Sequence, residues 1–221
     1  MMKKRQGTIW DKIQLTINLF IRVSIFVALV TSIVNKNWEV VFLSALTLLL
    51  TFSPIIIEKS YRLYFTTELE LVAVIFIYAG LFLGEVHGYF TLFWWWDVIL
   101  HATSGIVLGL AGFLIMYILY YEQKIDASPF LIAVFSFSFA LAIGTVWEMF
   151  EFIIDNLFSL NMQKSGLVDT MWDLIINSIG ALIISTLGYF YIKGTKYRIL
   201  EKIISRFIRE NPKLLNRKPS T

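Results

Sequence analysis

Apolar residues run along this chain in six long stretches separated by short polar ones. The first covers about residues 15–34 (LTINLFIRVSIFVALVTSIV) and the second about 38–57 (WEVVFLSALTLLLTFSPIII). The third covers about 69–86, the fourth about 98–121, the fifth about 129–154 and the sixth about 171–192. Each is close to the roughly 20 residues that a helix rising about 1.5 Å per residue needs to cross a bilayer. A helix satisfies its own backbone in lipid, so the pattern predicts an all-α polytopic membrane protein, a six-helix transmembrane bundle. Pro54, near the end of the second stretch, predicts a kink or a stop. The MKKR start suits a signal peptide. The apolar run behind it is long, contains Arg22 and has no small-x-small cleavage site, so a retained anchor is expected.

Composition agrees, with 57% hydrophobic and 16% charged residues, outside the usual soluble range. Zero cysteines exclude disulfides, thiolate metal sites and cysteine nucleophiles. Basic residues then set the orientation. One side of the six spans holds Lys3, Lys4, Arg5, Lys12, Lys59, Arg62, Lys124 and nine more after the sixth span, sixteen in all, against Lys36 and Lys164 on the other. Both termini are therefore expected in the cytoplasm of a multi-pass cell-membrane protein. The net charge of +3 reflects that topology and argues for no nucleic-acid partner. The chain reads as a basic cytoplasmic N-terminus (1–14), a membrane domain (15–193) and a basic tail (194–221). In the tail, Ile199, Leu200, Ile203, Ile204, Phe207 and Ile208 recur at helical spacing with Lys202, Arg206 and Arg209 between them. That is the pattern of an amphipathic helix lying on the anionic inner leaflet, or of a basic tail that only fixes topology. Residues beyond it, NPKLLNRKPST, are expected to be disordered.

The acidic residues are placed unevenly. Glu85 ends the third span, Asp97 begins the fourth, Glu148, Glu151 and Asp155 lie in the last turns of the fifth, and Asp169 and Asp173 lead into the sixth. On the predicted topology all seven are at the outer side, with both histidines, His87 and His101. Asp97 and His101 are four residues apart and share a helix face. Glu148, Glu151 and Asp155 share another, and Asp169, Asp173 and Asn177 a third. Ionisable residues in spans face a bundle interior or a water-filled cavity. Carboxylates gathered there need a bound cation, shared protons or screening water. Oxygen ligands with one or two imidazoles suit Zn²⁺, Mn²⁺, Fe²⁺ or Mg²⁺.

Simpler roles compete at each position. Asp97 suits an N-cap, Asp173 a cap as well, and His101 a hydrogen bond within the bundle. Asp155, Asp169 and Glu85 suit solvated loop ends. Trp94, Trp95 and Trp96 read as an interfacial belt, Gly105, Gly109 and Gly112 as a face for close packing, and Arg22 as a snorkelling side chain. QKSGLVDT (163–170) reads as a turn into the sixth helix or a short lid. No P-loop, Rossmann fingerprint or GxSxG elbow is present.

DVILH (97–101), WEMFE (147–151), GLVDTMWD (166–173) and GEVHGYF (84–90) together resemble the signatures of the YjdF-like bacterial inner-membrane proteins. These are Asp-x-x-x-His opening a helix, Glu-x-x-Glu ending one, Gly-x-x-Asp-Thr-x-x-Asp entering the last, and a Gly-His-Tyr stretch before the Asp/His helix. The resemblance covers roughly residues 45–190. It implies a six-helix membrane protein with Asp97, His101, Glu148, Glu151, Asp169 and Asp173 as signature positions, and His87 beside them. The family is one of unknown function and lends no activity.

Three functions remain open on the residues. The first is a metal-dependent hydrolase of a lipid or lipid-linked head group. In it Asp97, His101, Glu148 and Asp173 hold a divalent metal, and Glu151 and Asp169 serve in acid–base catalysis. The second is a divalent-cation or proton-coupled transporter using the same acids, for which assembly into a homo-oligomer would compensate for the small span number. The third is a scaffolding membrane protein in which the cluster is a structural knot.

Overall fold

The computed structural model describes residues 9–61, 64–158 and 161–212. Lys3, Lys4, Arg5, Arg62 and the tail from residue 213 onward, with the charge and disorder expectations attached to them, lie outside the described residues. Helices account for the described fold, with no strand among the described residues. Six helical segments are long and apolar enough to cross a membrane: Lys12–Val34, Trp38–Ser60, Thr67–Val86, Trp94–Tyr121, Pro129–Phe158 and Leu167–Ile192. All six expected spans are present, several longer than their apolar runs. The extra turns carry tryptophans and acids, which lower hydropathy without breaking a helix.

The chain divides into two units between Phe93 and Trp94. In the first, α1 (Ile9–Val34) packs antiparallel on α2 (Trp38–Leu50), joined by a turn in which Asn37 caps α2. The second span then breaks. α2 stops at Leu50 and α3 (Ser53–Tyr61) restarts it. Pro54 falls in the first turn of α3, where its missing N–H costs nothing, and the ladder from α2 does not continue through it. The third span is α4 (Thr67–Ile77), capped by Thr66, continuing as a π-helical stretch over Tyr78–Val86. Ile21, Ile25, Val74 and Phe82 form the core of this unit. A single turn, α5 (Tyr89–Leu92), follows Gly88, whose φ of 71° places it in the left-handed region.

Arg22, expected to snorkel, has partners within the unit. Its Nη2 donates to the Thr51 carbonyl at 2.9 Å, its Nε lies 3.4 Å from Thr51 Oγ1, and the guanidinium sits 4.1 Å over the Phe52 ring. It thus supplies a donor where the second span is broken, a use of Arg that lysine cannot reproduce. Arg22→Met is expected to destabilise the protein by about 2 kcal/mol, the worth of a charge-assisted hydrogen bond. A denaturant melt in detergent checks it, and an unchanged midpoint would remove Arg22 from this role.

In the second unit α6 (Trp94–Tyr121), α7 (Pro129–Phe158) and α8 (Leu167–Ile192) pack against one another, α6 most extensively against α8. α6 and α8 run parallel and α7 runs against both. Glycines permit this. A Cβ on Gly105 would strike the Asn177 carbonyl of α8, and one on Gly180 would strike the Ala102 carbonyl of α6. The backbones therefore touch directly, as small residues allow between spans. Gly109 and Gly112 extend the face, the former against Ile184 and the latter against Phe139 of α7. The Ser136 hydroxyl of α7 donates to the Gly109 carbonyl at 2.7 Å. After α8, Thr195 N–H donates to the Phe190 carbonyl at 2.9 Å and Gly194 takes φ 98°, a Schellman turn. α9 (Arg198–Glu210) follows, as its periodicity predicts.

Candidate functional site

Helix starts decide what the acids can do. α6 begins at Trp94, so Asp97 stands inside the first turn instead of at the N-cap. α8 begins at Leu167, which puts Asp169 in its first turn and Asp173 one turn deeper, too far in to cap. α7 continues to Phe158, so Glu148 and Glu151 lie well within it. Because α6 and α8 are parallel and α7 antiparallel, the starts of two helices and the end of the third meet at one end of the unit.

His101 is the centre of that meeting. Its Nε2 lies 3.3 Å from Asp97 Oδ1 and 3.7 Å from Asp173 Oδ1, and its Nδ1 lies 3.9 Å from Glu148 Oε1. One ligand atom from each of Asp97, His101 and Asp173 falls within 4.8 Å of the others, so this group could hold a metal ion. Glu148 and Asp173 are only 5% and 4% exposed. Three carboxylates face a single imidazole here, among apolar helices where charge is poorly solvated. A divalent ion bound at about 2.0–2.2 Å to each ligand spans ligand atoms up to about 4 Å apart. The group thus needs only a small contraction to fit one. The imidazole could ligate through Nε2 while Glu148 takes the Nδ1 proton, the arrangement that fixes tautomer and ring orientation at histidine metal sites.

A second observation points the same way. Glu148 Oε2 is fully buried and has no hydrogen-bond partner. So is Asn177 Oδ1, one turn below Asp173 on α8. Asn177 is wedged into a slot left by Gly105 and Gly144, and its Nδ2 reaches the Ala140 carbonyl only at 3.5 Å. A buried acceptor left unsatisfied costs about 1–3 kcal/mol, more when charged. A bound cation, a proton or water would supply what these atoms lack.

The other sequence candidates have different surroundings. Glu151 is buried and accepts the Trp147 indole N–H at 2.8 Å. Asp155 is no solvated loop end; it accepts the backbone N–H groups of Met162 and Gln163 at 2.7 and 2.9 Å, holding the turn into α8. Gln163 Nε2 in turn donates to Thr170 Oγ1 at 2.8 Å, and Gly166, at φ 67°, ends the turn. Asp169 lines a cleft of about 430 Å³ with Asp97 and Asp173; Trp94, Trp172, Val98, Val168 and Ile176 supply its apolar walls. Trp94, 83% exposed and expected in an interfacial belt, thus serves as a cleft wall. Sequence reading left Trp172 unassigned; its place in the Asp169–Asp173 turn was the available signal.

Glu85 and His87 belong to the first unit. His87 Nδ1 lies 3.2 Å from the Phe82 carbonyl, which also accepts the His87 backbone N–H, and its ring rests 4.7 Å from that of Phe82. Capping the π-helical stretch accounts for it. The first unit also holds buried polar residues that sequence reading missed. Gln14 and Asn18 precede Arg22 at four-residue spacing on α1, and Glu70 is buried on α4. The regular spacing on α1 was legible; the burial of Glu70 was not, because it stands one turn from the polar end of its span.

Comparison with known proteins agrees with this architecture. The family described as Predicted membrane protein (DUF2238) matches residues 17–194. An uncharacterized protein of Thermotoga maritima is 28% identical over 147 residues, covering 62% of this chain and 70% of that protein. No solved structure matches. The chain belongs to the DUF2238 family of membrane proteins, as its resemblance to the YjdF-like proteins implied.

Proposed function

We propose that this protein is a metal-dependent hydrolase acting on the head group of a membrane lipid or lipid-linked molecule. The observation that carries the reading is the cleft. Carboxylates of Asp97, Asp169 and Asp173 lie beside walls of Trp94, Trp172 and aliphatic side chains, which suits a molecule polar at one end and apolar at the other. Asp97, His101 and Asp173 would hold the ion, with Glu148 orienting His101 through Nδ1. A divalent ion there supplies Lewis acidity toward a phosphoryl or acyl oxygen and makes bound water acidic. Asp169 is the carboxylate best placed to take a proton in the cleft. Glu151, turned to Trp147, would act only through a change of rotamer. With the basic segments cytoplasmic, the cleft opens toward the outer leaflet.

The test is incubation of the purified, metal-supplemented protein with a total membrane-lipid extract, followed by mass spectrometry of the products. Head-group cleavage is expected, and Asp169→Asn is expected to slow it by about 100-fold or more, as loss of a general base does. An extract left intact by metal-loaded protein would sink the hydrolase reading.

A transporter is the second reading, and the first unit favours it. A broken second span, a third span that ends in a π-helical stretch, buried Asn18 and Glu70 and half-buried Arg22 are features of helices that line ion paths. Divalent-cation or proton flux into liposomes, lost in Glu70→Gln, would select it.

A further inference from the structure

We infer that α9 is a clasp docked on the protein which presents a cationic surface to anionic phospholipid head groups. Amphipathic helices that insert into a leaflet leave their apolar row for the lipid. In α9 most of that row is already covered: Leu200, Ile204 and Phe207 are buried and Ile203 and Ile208 half-buried, with Ile199 at its start left exposed. Asn211 finishes the helix from a buried position, its Nδ2 donating to the Phe207 carbonyl at 2.9 Å. The outward charge is mostly cationic: Lys196, Arg198, Lys202 and Arg209 are exposed, with Glu201 the one exposed acid described in the helix.

Tethering keeps that charge near the bilayer. The segment between Ile192, the last residue of the sixth span, and Arg198 is residues 193–197, which at about 3.5 Å each can carry the helix no more than about 20 Å from the span's end. The Schellman turn at Gly194 reverses the chain at once, and Lys193 stays at the exit, its Nζ 3.2 Å from Tyr189 Oη. Basic residues held within a Debye length of an anionic surface attract its head groups. The partner is therefore the phospholipid surface at the end of the membrane domain opposite the carboxylate cleft. This inference stands independently of the hydrolase reading.

The test uses the full chain in nanodiscs. Spin-labelled phosphatidylglycerol and phosphatidylcholine report which lipid is held against the protein. Wild-type protein is expected to select phosphatidylglycerol several-fold. The selectivity is expected to fall toward unity in high salt and in the variant Lys196→Gln/Arg198→Gln/Lys202→Gln/Arg209→Gln. Equal selectivity in variant and wild type would overturn the cationic surface. Hydrogen exchange tests the docking separately: α9 amides are expected to be protected in pure phosphatidylcholine discs. Protection that arises only with phosphatidylglycerol would overturn the clasp, because the lipid and not the protein would then be covering the apolar row.

Discussion

His101→Ala is expected to lower divalent-cation affinity by more than about 100-fold, beyond the 10- to 100-fold that removing an outer-shell partner costs. The imidazole approaches Asp97, Asp173 and Glu148 together, at 3.3, 3.7 and 3.9 Å. Its removal leaves two carboxylates on different helices with no ligand between them. Glu148→Gln, which keeps the shape but removes the negative charge facing Nδ1, is expected to cost about 10- to 100-fold. Titration of metal-stripped protein in detergent measures both. Equal affinity in Glu148→Gln and His101→Ala would mean that Glu148 ligates directly. Undiminished affinity in His101→Ala would place the ion elsewhere.

The second large effect comes from a methyl group. Gly180→Ala puts a Cβ into the Ala102 carbonyl, with Ile106 N at 3.2 Å, so α8 must move off α6. Overpacking of this kind costs about 1–3 kcal/mol, and the obstacle here is backbone, which cannot turn aside like a side chain. Because α6 carries Asp97 and His101 while α8 carries Asp173, the same separation is expected to weaken cation binding. Gly80→Ala is the control, since a Cβ there meets nothing within 4 Å. Thermal melts of the two variants should differ clearly. Equal midpoints would mean that α6 and α8 do not touch at Gly180.

Much of this architecture is legible in the sequence because lipid imposes it. The six spans follow from apolar runs alone, and the break near Pro54 follows from a missing N–H. Helix starts are less legible. Trp94 and Leu167 begin their helices before the apolar runs do, so Asp97 and Asp173, which suited caps, prove to be interior residues. The shared faces of Asp97 with His101 and of Asp169 with Asp173 are properties of one helix and can be read from spacing. That the two faces meet depends on α6 and α8 lying side by side, which Gly105 and Gly180 permit but do not announce. Arg22 shows the same limit. Its sequence position suits snorkelling, and only the folded unit brings the Thr51 carbonyl and Phe52 ring to it.

The central claim is that Asp97, His101 and Asp173 hold a cation. Elemental analysis of the full chain, purified without chelators and supplied in turn with Zn²⁺, Mn²⁺, Fe²⁺ and Mg²⁺, tests it most directly. The account predicts a retained divalent ion in about one-to-one stoichiometry with the chain, lost in His101→Ala and Asp173→Asn variants that still fold. Wild-type protein that retains none of these ions would contradict it.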